Sequence, residues 1–236
     1  MSLWHPVLSA SVWLVAGKAL SLLATFVSIV AISRTLGPAD FGQLSYVLAV
    51  VAILAPLGQF GLNAIVVKDL VQSPDKAPGI LGSTLAVRLG ATAVSLVVAV
   101  MAVAYLRPDG EGFRWFVLIL MLAEVARAWA VCSFVFEARS EFGLIALVNA
   151  VLAIGFACLK ILFAVQGAGL ETFIYLYAGE AALSGPVFYI LYRQRLKPAP
   201  FTPSLVRMRG LTNRSGYLAI SGVLAVANLK VDQIML

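Results

Sequence analysis

The sequence predicts an all-α fold, a polytopic transmembrane helix bundle, and three observations carry that prediction. Of 236 residues, 61% are hydrophobic and only 12% are charged, against roughly 25% charged in an ordinary soluble domain. A soluble chain of this size has to cover its core with polar residues, and these are too few, so lipid must be the solvent for much of the exterior. Second, the apolar residues are gathered into seven runs, at 7–33, 41–66, 79–105, 113–136, 142–166, 171–192 and 216–236. Each exceeds the roughly 20 residues that cross about 30 Å of hydrocarbon as a helix. Third, open strands would leave backbone groups unpaired in lipid, which leaves helices as the form for runs this long.

The net charge is +6 and the pI near 9.5. In a soluble protein that balance would suggest nucleic acid; here it suggests basic cytoplasmic loops, and nucleic acid is not an expected partner.

Span 1 (7–33) is too long for a signal-peptide core and is preceded by no Lys or Arg, only His5, so it reads as a retained helix. Ser11, Lys18, Ser21, Thr25 and Ser28 follow one another at steps of 7, 3, 4 and 3, which places them within about 100° of arc on one helix face. Span 2 (41–66) is interrupted by Pro56, Gly58 and Gly61, a kink at which a helix can hinge. Span 3 repeats the striped pattern with Thr84, Arg88, Thr92 and Ser95.

In span 4, Glu124 and Arg127 lie three residues apart, within pairing reach. Lys160 in span 5 sits about six residues from the span's end and reads as a snorkelling anchor. Span 6 sets Tyr177, Glu180 and Ser184 on one side and is interrupted by Gly185-Pro186. Span 7 carries Ser221, Asn228 and Asp232 along one stripe, with Lys230 pointing elsewhere. It stops at Leu236 without a polar flank, the pattern expected of a fragment. Cys132 and Cys158 lie within apolar stretches and read as packing residues.

An ion at mid-bilayer costs several kcal/mol, so such residues face a cavity or a partner. The expected cavity residues are Lys18, Arg88, Arg127, Glu180, Asn228 and Asp232. Cations with few matching acids imply an anionic passenger, and a phosphate or diphosphate headgroup fits. Interhelical hydrogen bonding is the competing account of the Ser and Thr members.

Orientation follows from the loops. Lys68, Lys76, Arg139, Arg193, Arg195, Lys197, Arg207, Arg209 and Arg214 fall on one side, and Arg34, Arg107 and Arg114 on the other. Nine against three puts the N-terminus in the cytoplasm. Pro198, Pro200 and Pro203 make 197–214 a basic linker suited to the anionic leaflet. The expected organisation is a six-helix bundle at 1–196, the linker at 197–214, and the start of a second bundle at 215–236.

No enzyme is expected. Gly17-Lys18 is followed by Ala19 and lacks a phosphate-binding loop, and His5 is the single histidine. Asp40 is the one acid of the first loop on the side opposite the basic loops, and Asp109 and Glu111 read as solvated turn residues. No cofactor or metal is expected.

Arg34-Thr35-Leu36-Gly37-Pro38-Ala39-Asp40-Phe41-Gly42 resembles the signature of the bacterial polysaccharide flippases. These are the O-antigen and exopolysaccharide exporters of the multidrug/oligosaccharidyl-lipid/polysaccharide superfamily. Gly58-Gln59-Phe60-Gly61-Leu62 with Val67-Lys68, then Phe136-Glu137-Ala138-Arg139, then Asn228 to Leu236 match in the same order. The resemblance implies the first bundle of an exporter with two pseudo-symmetric halves. It implies a carrier that hydrolyses no ATP and moves a polyprenyl-diphosphate-linked oligosaccharide between leaflets of the cytoplasmic (inner) membrane by alternating access. The expected partners are that glycan, membrane lipids and other polysaccharide assembly proteins. Two competing readings are a drug or organic-cation exporter of the same superfamily, which would want acids to dominate the cavity, and a non-transporting scaffold subunit.

Overall fold

The computed structural model describes residues 4–59, 62–106, 111–196 and 199–213. Their order is α1 (Trp4–Gln59), α2 (Asn63–Gln72), a 3₁₀ turn (Pro74–Lys76), α3 (Ala77–Leu106) and α4 (Glu111–Arg127). A 3₁₀ stretch (Ala128–Cys132), α5 (Ser133–Ala138), α6 (Phe142–Val165) and α7 (Leu170–Leu196) follow, then a short α8 at 205–213. No strand occurs among the described residues. The chain is an all-α, multi-pass helical bundle. Five helical stretches have the length and composition to cross a membrane: Gly17–Leu57, Pro74–Val103, Gly112–Ala138, Phe142–Val165 and Leu170–Leu196.

The first stretch is two crossings. A straight helix of 56 residues would be about 84 Å long, nearly three times the hydrocarbon core. Gly37, at φ 71° and ψ 178°, breaks it. That region of backbone space is open to glycine and nearly closed to other residues. Pro38 then removes a backbone donor, so the Gly-Pro pair inside the Arg34–Gly42 motif reverses the chain. Both arms leave Gly37 toward the same end of the bundle. The first lies along α6: Thr35 Oγ1 donates to the Ala164 carbonyl at 3.1 Å, and Lys18 and Ser21 reach Phe142 and Ile145. The second lies against α3, where Ser95 Oγ donates to the Leu54 carbonyl at 2.7 Å. It runs through Pro56 and Gly58 to Gln59, and α2 begins at Asn63, while Gly61 lies outside the described residues.

Two apolar clusters hold the bundle, one toward each end. Ile32, Leu44, Val47, Val103, Val117, Met121, Phe173 and Ile174 build the first, nearest Gly37. Leu62, Val66, Leu81, Val131, Phe136, Phe188 and Tyr192 build the second. The polar residues of α3 and α4 fall between them.

Two helices depart from their expected form. Span 4 tightens into 3₁₀ geometry just beyond Arg127; a mid-helix 3₁₀ run has poorer hydrogen bonds and marks a place where a helix can bend. Span 6 instead runs unbroken through Gly185-Pro186. At Gly185 the reason for glycine is contact, since an added Cβ would collide with the Ala126 carbonyl oxygen.

Residues 199–213 fold onto the second cluster. Phe201 stacks on Tyr192 at 6.0 Å and meets Trp129 and Tyr189. The Ser204 N–H donates to Ser83 Oγ at 3.0 Å, and Leu211 of α8 is buried.

Candidate functional site

The stripe on α3 faces inward. Thr84, Arg88, Thr92 and Ser95 are all buried, as their spacing of 4, 4 and 3 requires of one helix face. The hydroxyls are satisfied locally: Thr84 donates to the Ile80 carbonyl at 2.7 Å and Thr92 to that of Arg88 at 2.8 Å. Ser21, Thr25 and Ser28 in α1 do the same within their own helix. Interhelical hydrogen bonding therefore accounts for Ser95 and Thr35, and not for the stripes as a whole. A hydroxyl bonded back to its own helix costs little in lipid, which frees these positions to be polar without a partner helix.

Opposite Arg88 stands α4. Arg127 Nη1 donates to Glu124 Oε1 at 2.8 Å, as the three-residue spacing predicts. Glu124 is nearly enclosed, with 9% of its side chain exposed, while Arg127 reaches outward at 42%. Arg88 lies within the electrostatic reach of both. Arg127 alone is paired with Glu124, and the buried Arg88 of α3 has no ion pair among the described residues.

The second ion pair overturns an expectation. Lys160 does not snorkel. It is 3% exposed, and its Nζ donates to Glu180 Oε2 of α7 at 2.6 Å, with the ammonium 3.6 Å from the centre of the Tyr177 ring. A lysine held by a carboxylate and an aromatic face is stabilised in place and has no need of the interface. The signal for this pair was in the connectivity. Residues 166–169 are too short to make α6 and α7 anything but antiparallel neighbours.

Lys18 stands apart from both pairs. It is exposed, in an open groove of about 410 Å³ between the first arm of α1 and the start of α6. Ser21 and Thr25 line one wall and Asn149 the other. Asn149 carries the one amide among the lining side chains, and no periodic pattern in span 5 singled it out. Of the six expected cavity residues, the structure buries Arg88 on α3 and pairs Arg127 with Glu124 on α4. It pairs Glu180 with Lys160 and leaves Lys18 on a separate face. Asn228 and Asp232 lie outside the described residues.

The family profile described as polysaccharide biosynthesis protein matches residues 7–236. The chain belongs to that family. The match covers nearly the whole sequence, including the Arg34–Gly42 motif whose glycine makes the hairpin between the first two crossings. Family and fold together make this a multi-pass membrane protein with a role in polysaccharide biosynthesis. Comparison with curated proteins and with solved structures returned no match.

Proposed function

We propose that this chain is the first bundle of a membrane transporter that carries an anionic, polyprenyl-diphosphate-linked oligosaccharide across the cytoplasmic membrane by alternating access. One observation carries the reading: Arg88 is buried at mid-bundle between the two apolar clusters, and the nearby carboxylate of Glu124 is paired with Arg127 instead. An uncompensated guanidinium in lipid is expensive, and a diphosphate that binds it bidentately offsets that cost. Lys18, exposed in its own groove on a separate face, is a second cation for the passenger. Glu180 is neutralised by Lys160, so it does not turn the balance toward a cationic drug.

In this reading residues 1–196 form the first bundle, 197–214 the basic linker, and 215–236 open the second bundle with Asn228 and Asp232 on its cavity side. The N-terminus is cytoplasmic. The protein moves its cargo without chemistry on it, and its partners are the lipid-linked glycan, membrane lipids and other assembly proteins.

The test is complementation of a strain lacking its surface-glycan flippase, with the complete gene carrying Lys18→Ala, Arg88→Ala or Arg88→Lys. We expect both alanine variants to lose surface glycan and accumulate the lipid-linked intermediate, with partial recovery in Arg88→Lys. Wild-type export by both alanine variants at equal expression would overturn the reading. Loss of drug resistance rather than glycan would support the organic-cation exporter instead.

A further inference from the structure

On the outer side of α3, away from the buried stripe, Ala86, Gly90 and Ala91 present small side chains. They floor an open trough of about 600 Å³, bounded by Leu57 at the end of α1 and by one side of α8. A Cβ added at Gly90 would meet nothing within 4 Å, so this glycine leaves space where Gly185 closes a contact. Farther along α3 the surface stays apolar, with Val94 65% and Met101 66% exposed.

The α8 side of the trough differs in kind. Among the lining residues Arg209 and Thr212 are polar, and the others are apolar or glycine. Thr212 spends its hydroxyl proton on the Met208 carbonyl at 3.0 Å, which leaves Arg209 as the donor to a ligand. Arg207 lies nearby over Gly79, and residues 199–213 contain no acidic residue. Leu205 and Val206 of α8 are 81% and 86% exposed. Apolar side chains beside arginines that have no ion pair among the described residues suit a helix at a membrane interface.

We propose that this trough is a binding site for an anionic phospholipid, its acyl chain laid along Ala86, Gly90 and Val94 and its phosphate on the Arg209 guanidinium. The site is separate from the buried Arg88, Glu124 and Lys160 and does not depend on what the protein transports. An apolar floor with one cationic end matches a chain with one phosphate. It offers no polar wall for sugars, which weighs against the glycan-linked cargo. No acidic residue within 199–213 meets the Arg209 end, which favours an occupant that carries its own phosphate.

The experiment compares the purified full chain in neutral detergent with phosphatidylglycerol, phosphatidylcholine or inorganic phosphate, read by retained lipid in native mass spectrometry and by thermal unfolding. Phosphatidylglycerol should be retained and should raise the unfolding temperature. Phosphatidylcholine should be retained about tenfold less, since exchanging an ion-assisted bond for a screened zwitterion costs roughly that factor. Inorganic phosphate should have no effect. Arg209→Gln should lower phosphatidylglycerol retention about tenfold toward the phosphatidylcholine level.

Gly90→Leu should abolish retention with the lipid-free unfolding temperature unchanged, because it fills open space. If that variant fails to fold, Ala91→Leu serves the same purpose. Equal retention of the two lipids, stabilisation by inorganic phosphate alone, or undiminished retention by the trough-filling variant would each overturn the proposal. So would a photo-crosslinker at Val94 that captures polypeptide in place of lipid.

Discussion

Lys160 shows how far one side chain's surroundings change its meaning. Its ammonium is shared between the Glu180 carboxylate and the Tyr177 ring, in a setting where neither charge is stable alone. Removing one partner from a buried pair costs more than removing both, because the survivor is left as an uncompensated ion. Lys160→Met alone should therefore destabilise the protein by about 2–3 kcal/mol, and Lys160→Met combined with Glu180→Gln by markedly less. Thermal unfolding of the wild type, both single variants and the double variant in one detergent checks this, and a double loss equal to the sum of the single losses would show that the pair is not coupled. Arg88 follows the same logic with the opposite result, since the carboxylate of Glu124 is taken by Arg127 and no ion pair to Arg88 is seen among the described residues. The residues that carry charge were legible from sequence by their depth in apolar runs. Which charge answered which was not, because Lys160 and Glu180 sit on different helices.

At the scale of elements, two glycines have opposite reasons for being glycine. Gly37 supplies a backbone conformation, φ 71° with ψ 178°, that reverses the chain between the first two crossings. Gly185 supplies absence, letting α7 lie against the Ala126 carbonyl. Gly37→Ala should cost about 1–3 kcal/mol from backbone strain alone. Gly185→Ala should cost at least as much, by pushing α7 off α4 and parting the aromatic contact of Trp129 with Tyr189, now 4.8 Å between centroids. Fluorescence-detected size exclusion would report both as lost monodisperse protein; a wild-type profile for either would contradict the role given to it. The Gly-Pro pair at 37–38 was legible as a break between spans. The unbroken course of α7 through Pro186 was not, because a proline's kink depends on whether neighbouring helices hold the freed backbone in place. Nor was the 3₁₀ tightening at Ala128–Cys132, since its residues, Ala-Trp-Ala-Val-Cys, carry no breaker.

Across the whole molecule, the basic residues gather at one end. Lys68, Lys76, Arg139, Arg193 and Arg195 lie on the elements around the second apolar cluster, where Arg195 Nη1 also approaches Glu141 at 3.8 Å. Arg34 lies at the Gly37 end. If the basic end is cytoplasmic, cysteines placed at Lys76 and at Gln166 should be labelled from opposite sides of intact cells, after Cys132 and Cys158 are replaced. An impermeant maleimide should modify the position-166 variant at once and the position-76 variant only after lysis. The reverse order would invert the orientation and the direction of transport proposed from it.

Sequence by itself determined the quantities that depend on the chain one stretch at a time. These are that several runs are apolar enough to cross, which faces carry the hydroxyl and cationic stripes, and the Arg34–Gly42 motif that lies within the family match. They are local because hydropathy and helical period are local. Only the tertiary structure decided which stripe faces inward, that α3 is buried on its Arg88 side and open at Gly90, that Lys160 is held by Glu180, and that residues 199–213 dock on the bundle. Those outcomes depend on distances between helices, and two residues 20 positions apart become neighbours only when the loop between them has chosen its turn.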